Sequence, residues 1–527
     1  MHRSISLAAL ALAGVGITAC GSPAGTSMQT ASSSTSGQAS GPASGPALGN
    51  GQRENAERFD RQKIRWGACE EEDINDGVVC GRLTVPVDWS KKDSRTVGLQ
   101  VYRWDTADPA KTKDGTKTKD KTKAKAKARG TIVNIPPGPG DSGFMGFGEL
   151  RKNLPDYDLI ALDPRGIGRS GPLLCPAENA LKVPLVPPTT KSGFTALKAN
   201  QRTLWSKCRT QPAELKDHLD AFSNAKDLET LRRSLNIQKI NLYGFSYGTL
   251  TAERYLGLFG EHVNGSLLEG VMNPALPRRD FVTTAAAGSQ AVYQRFAQWC
   301  GTESGCALHR QDVASVFRKA QQQARSGALP GTFHGRPWSE ATVTQYLETS
   351  LGNAQFAEAA KGLKELAEGR NPVPDGEGPG GEEEVPEEVP YADPIVCSSF
   401  DLAVKGPKDA EGDLAAARKA APVVGYSTNA GAYTSLCVGS PAPAPGSADP
   451  VTSRSAHPTM LLSNSHDPAT PKAWADAVAR RLGTKAIHTV TDRVGHGGAF
   501  GSPAARQKAI DYMARANTGL TAEGRQG

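Results

Sequence analysis

Apolar positions come first as a block and then in two alternating periods. Leu7 to Ile17 is continuous and apolar behind Arg3, shorter than the roughly 18 residues a membrane span needs, which predicts a signal peptide over residues 1–19. Residues 20–58 hold Ser, Gly, Ala, Thr and Pro with almost no large apolar side chain, so they predict a tether that buries no core. Short apolar or alternating runs then predict strands at Gly81 to Trp89, Gly98 to Trp104, Thr131 to Ile135, Asp158 to Leu162, Ile240 to Tyr243 and Val263 to Glu269. Pro86 marks the first of these as an edge strand. Helical spacing appears at Ala225 to Leu235 and Thr251 to Phe259. Strands alternating with helices predict an α/β fold with a mostly parallel sheet and ligands at the carboxyl ends of its strands.

From Ala275 to Ala456 the alternation stops. Helical patterns at Thr284 to Trp299, Val313 to Arg325, Thr342 to Leu351 and Ala354 to Glu368 are joined by loops rich in Pro and Gly, which reads as an inserted helical lid. Alternation resumes with a strand at Pro458 to Ser463, a helix at Pro471 to Leu482, a strand at Ala486 to Thr491 and a helix at Pro503 to Asn517. The expected units are therefore core over 59–274 and 457–520 with the lid between, more than one hydrophobic core in a chain of 527 residues.

Charge changes little in this picture. The formal net charge is +7, but much of the excess lies in Lys111 to Arg129, where Lys alternates with Thr, Ala and Asp; this is the signature of a solvated loop rather than of nucleic-acid binding. Asp375 to Glu388 is its acidic counterpart and also reads as an exposed loop. Small residues before Cys20, in Ile17-Thr18-Ala19-Cys20, resemble the lipobox of bacterial lipoproteins and predict a lipid on Cys20 as the membrane contact. Eight further cysteines in an exported chain argue for disulfides. Proximity favours Cys69 with Cys80, Cys175 with Cys208, Cys300 with Cys306 and Cys397 with Cys437, although spacing does not exclude other pairings or reduced thiols. No histidine stands at zinc-ligand spacing from them.

The candidate chemistry begins at Gly244-Phe245-Ser246-Tyr247-Gly248 between a strand and a helix, the form of a nucleophile elbow. Ser246 needs a base, and His496, in Gly495-His496-Gly497 on the loop after the last strand, stands where one belongs; His457, His466 and His488 read as structural. Asp467, at the carboxyl end of the preceding strand, is the expected acid, with Asp492 as its rival. The Tyr247 N–H and the Gly138 N–H, within Pro136-Pro137-Gly138-Pro139-Gly140-Asp141-Ser142-Gly143, are the expected oxyanion donors; prolines 137 and 139 have no N–H to give. Asp163 and Arg165 are expected to form a structural ion pair. Glu269, ending the strand after the elbow helix, is the expected partner for a substrate amino group, with Glu303 or Asp393 as substitutes.

Together the elbow, the Pro-Gly loop, Asp163-Pro-Arg-Gly-Ile-Gly-Arg-Ser170, Asp467-Pro-Ala-Thr-Pro471 and Gly-His-Gly resemble the secreted tripeptidyl aminopeptidases of actinobacteria. These are α/β-hydrolase serine exopeptidases related to proline iminopeptidase. The likeness runs from about Trp66 to Met513 and implies that Ser246, Asp467 and His496 are the triad. It also implies peptide substrates, no cofactor or metal, no nucleic acid, export and a monomer. One departure is Pro137, where the family has glycine. An esterase or lipase on the same scaffold, and a non-catalytic peptide-binding lipoprotein, are the competing expectations.

Overall fold

The computed structural model describes residues 58–70, 74, 77–106, 128–373 and 386–518. The signal peptide, the Cys20 lipid site, nearly all of the tether, and most of the lysine-rich and acidic stretches lie outside them. Eight strands form the main sheet: β1 (Val79–Pro86), β2 (Thr96–Trp104), β3 (Thr131–Ile135), β4 (Asp158–Leu162), β5 (Ile240–Phe245), β6 (Val263–Glu269), β7 (Thr459–His466) and β8 (Ala486–Val494). Their order is β1-β2-β4-β3-β5-β6-β7-β8, and β2 alone runs against the rest. The middle strands are apolar on both faces because both are covered: Ile132, Leu242, Leu268 and Leu461 are fully buried.

One face packs on α1 (Phe147–Asn153) and α11 (Pro503–Asn517), through Phe147, Leu150, Ala509 and Met513. The other packs on α2 (Ala221–Ser234) and α3 (Gly248–Phe259), through Leu228, Leu231, Tyr255 and Leu256. Asp220 starts α2 by accepting from the Ser223 N–H at 3.0 Å.

The insertion folds as α4 (Arg278–Thr302), α5 (Val313–Arg325), α6 (Glu340–Gly352), α7 (Phe356–Ala367), α8 (Pro407–Ala420) and α9 (Thr428–Leu436). After it, α10 (Lys472–Leu482) returns the chain to β8. Helices α4 to α7 have a core of their own around Phe296, Phe317, Leu347 and Leu363. The later part of the insertion does not stay with that core: Val389, Ile395, Val396, Phe400 and Leu436 join the sheet's own core, and residues 388–390 pair with 174–176 as a short ladder. Cys69 is joined to Cys80, Cys175 to Cys208, Cys300 to Cys306 and Cys397 to Cys437.

Asp163 and Arg165 do not pair. Glycines 166 and 168, at φ 83° and 49°, turn the loop sharply after them, and the two side chains find separate partners. Asp163 accepts from Ser142 Oγ at 2.6 Å and the Gly143 N–H at 2.9 Å, tying the Pro-Gly loop to the sheet. Arg165 goes into the core instead, to Asp227.

Candidate active site

The elbow places Ser246 in the left-handed region, at φ 53°, a strained conformation for a residue with a side chain. Close packing enforces it. A Cβ at Gly248 would lie 2.4 Å from the Pro136 carbonyl oxygen, so the start of α3 reaches the end of β3 only because that position is bare. The Ser246 N–H donates to the Glu269 carbonyl at 2.8 Å, fixing the turn to β6.

Ser246 Oγ lies 2.8 Å from His496 Nε2, and His496 Nδ1 lies 2.9 Å from Asp467 Oδ2. Asp467 is held in turn: its Oδ1 accepts from the N–H groups of Ala469 and Thr470, each at 2.8 Å, and its Oδ2 from Thr470 Oγ1 at 2.9 Å. Burial draws the His496 pKa down, but the charge and hydrogen bond of Asp467, with a smaller contribution from Glu269, outweigh it and leave it above the ordinary value. Asp492, the rival acid, accepts from Ser465 Oγ on the exposed side of β8 and does not contact His496. His457, His466 and His488 are likewise absent from the relay; His488 meets Asp476 and Ser463.

Three supports of the base had no sequence signal. Asn464 Nδ2 donates to the carbonyls of Gly495 and Gly497, at 2.8 and 2.6 Å. The His496 N–H donates to the Gly352 carbonyl at the end of α6. The Phe245 ring lies 4.9 Å from the imidazole, centroid to centroid. Each joins residues far apart in sequence, where no local pattern marks the partner.

The oxyanion donors depart from expectation. The Tyr247 N–H donates to the Pro137 carbonyl at 2.8 Å, so an acceptor occupies the place an oxyanion would take. A trans peptide is planar, with its C=O and N–H pointing opposite ways. Gly138 N–H is therefore turned away, to the Asp141 carboxyl group.

Glu269 also departs. It pairs with Phe245 across β5 and β6 and so shares the face of Tyr243, whose hydroxyl donates to Glu269 Oε2 at 2.7 Å. The cleft over Ser246 is lined by Met272, Phe281, Tyr433, Trp474 and His496, but not by Glu269. Glu303 is exposed at the end of α4. Asp393, from the insertion, does line the cleft. Burial, then the neighbouring charge of Asp141, pushes its carboxyl up to about 7, against a smaller opposing effect of Arg336. Asp141 is pushed up to about 6 by burial, with the Gly138 N–H opposing. Among the described residues no three His, Cys, Asp or Glu side chains are gathered as a metal ion would require.

Such a site can move a proton from a strained serine to a buried imidazole beside a largely apolar cleft. Comparison with known proteins agrees in kind. The chain is 26% identical over 269 residues to the serine protease Hip1 of Mycobacterium tuberculosis, covering 48% of each chain. It is 28% identical over 233 residues to a tripeptidyl aminopeptidase of Streptomyces lividans, covering 42% of this chain and 40% of that one. With carboxylesterase B of M. tuberculosis it shares 24% over 455 residues, 80% of this chain and 82% of the relative. The first two alignments span about half or less of those relatives' length. Residues 130–497, more than half of the chain, match the model of the alpha/beta hydrolase fold, and with its elbow, sheet order and inserted helices the chain belongs to that family.

Proposed function

We propose that this chain is an exported serine exopeptidase, anchored by a lipid on Cys20, that releases short peptides, tripeptides among them, from free amino termini. His496 takes the Ser246 proton as Oγ attacks the scissile carbonyl; Asp467 holds the imidazole in the required tautomer and stabilises its cation. The same imidazole then gives its proton to the leaving amine, and water, activated in the same way, releases the acyl group.

The observation that carries this reading is the relay from Ser246 to His496 to Asp467, opening on a cleft that the insertion closes and that Asp393 lines. The likeness to a tripeptidyl aminopeptidase and a serine protease favours a peptide over an ester. An exopeptidase must stop the substrate at a fixed distance from the nucleophile, and a buried ammonium requires a carboxylate. Asp393 takes that role in place of Glu269, because it faces the cleft and Glu269 faces Tyr243.

The test compares a tripeptide amide reporter carrying a free amino group with its acetylated form. Wild type is expected to prefer the free amine strongly, Glu269→Gln to keep that preference and Asp393→Asn to lose most of it. Equal rates on the two reporters for wild type sink the exopeptidase reading; a preference for short esters over both points to the esterase.

A further inference from the structure

In this structure the oxyanion hole is filled by the protein itself. The Pro137 carbonyl accepts the Tyr247 N–H at 2.8 Å, and the same peptide unit turns the Gly138 N–H towards Asp141. A Cβ at Gly138 would stand 2.5 Å from Asp141 Oδ2, so carboxyl group and peptide are in close contact. Asp141 Oδ2 is buried with no hydrogen-bond partner, and the Gly138 N–H that faces the carboxyl group is near enough to oppose the effect of burial on its pKa. Asp141 and Asp393 lie close enough for the charge of one to act on the other.

Turning the Pro137–Gly138 peptide over corrects both defects at once: it takes the carbonyl off Tyr247 and brings the Gly138 N–H to the oxyanion. Only ψ of Pro137 and φ of Gly138 need to change greatly. Glycine accepts either sign of φ, and proline fixes φ but not ψ. Prolines 136, 137 and 139 hold the rest of the loop.

We propose that Asp141 is a positioning residue that holds this peptide closed through the Gly138 N–H, and that a substrate ammonium bound at Asp393 releases it by drawing the Asp141 carboxylate to itself. The inference rests on the exopeptidase reading for its ligand. The amino terminus then does more than add affinity: its arrival completes the second half of the catalytic site, and substrates without it meet an enzyme whose hole is occupied.

The experiment uses the full chain and measures kcat and KM separately for wild type, Asp141→Ala and the near-isosteric Asp141→Asn. The substrates are the free tripeptide reporter, its acetylated form, and p-nitrophenyl acetate, which is too short to carry an amino group to Asp393. Removing the latch is expected to raise kcat on p-nitrophenyl acetate and on the acetylated reporter several-fold. Asp141→Asn, which keeps an acceptor oxygen, should fall between. A structural role alone would lower all three rates, and an amine-binding role alone would leave the ester rate unchanged; either result overturns the proposal. A crystal structure of the wild-type Ser246 adduct with a tripeptidyl phosphonate that carries a free amino terminus decides it without variants. Gly138 N–H on the phosphonyl oxygen is expected, and Pro137 carbonyl still on Tyr247 N–H refutes it. Failure of the exopeptidase reading shows separately, as equal wild-type rates on the two peptide reporters.

Discussion

Arg165 and Asp227 meet fully buried, with Nε to Oδ2 at 2.7 Å and Nη2 to Oδ1 at 2.6 Å. The remaining donors of the guanidinium reach the carbonyls of Pro86, Val87 and His218, and Trp89 Nε1 donates to Asp227 Oδ1. The pair therefore ties the Asp163–Ser170 loop and β1 to α2. Removing one partner strands the other charge, so Asp227→Ala should cost about 3–5 kcal/mol and lower the melting temperature clearly. Asp163→Asn should leave Arg165 seated and disturb the Pro-Gly loop, with a larger effect on turnover than on melting. A melting temperature unchanged in Asp227→Ala would contradict this assignment.

Ser246→Ala and His496→Ala should each abolish turnover by several orders of magnitude with the far-ultraviolet spectrum unchanged, since the members of such a relay act as a unit. Asp467→Asn should cost about 10⁴-fold, as expected when the imidazole is held in the wrong tautomer. Asp492→Asn, on the exposed side of β8, should leave kcat unchanged. The reverse ranking of the two aspartates would move the acid to Asp492.

The raised pKa of His496 fixes the pH profile of kcat/KM. The reaction needs neutral imidazole, so the acid limb should lie above the ordinary histidine value of about 6.5. Loss of the neighbouring negative charge in Asp467→Asn should move the limb of the residual activity downwards. An acid limb at or below the ordinary value in wild type would show that burial, not Asp467, dominates.

Asp393 and Asp141, pushed up to about 7 and about 6, make stability fall with pH. Their folded pKa values lie above the unfolded value of about 3.9, so the native state binds more protons across the window between. The stability they contribute is full below that window and is lost as pH rises through the folded pKa. Asp393→Asn should therefore melt several degrees higher than wild type at pH 8, and the gap should close towards pH 4. Thermal scans at the two pH values measure it, and a constant gap would mean that Asp393 does not titrate in this range.

The frame of the fold was legible because it is local. Helices α5 and α11 occupy the residues their apolar spacing implies, Val313–Arg325 and Pro503–Asn517, and β3, β4 and β6 follow their apolar runs. The elbow motif, the glycine-rich loop after the last strand and the chain order together pointed to Ser246, Asp467 and His496, the three side chains that the fold brings into contact, with Asp492 set aside only by the structure. Pairings decided by packing were not legible. Arg165 finds an acid 62 residues away rather than two, and Gly352 and Asn464 reach the His496 loop by their backbone or amide groups, which no motif encodes. Nor was the side to which Glu269 points legible: it depends on the register that sets Glu269 against Phe245, and a slip of one residue would turn it to the other face.

The bond from the His496 N–H to the Gly352 carbonyl crosses from the sheet's last loop to the inserted helices. Any excursion that lifts the end of α6 from the sheet takes away the acceptor that seats the imidazole backbone. The part of the insertion around Val389 and Phe400, laced into the main core, is not free to follow. The seat of the imidazole is thus shared between sheet and insertion, and whatever disturbs the end of α6 is felt at the base as well as at the cleft.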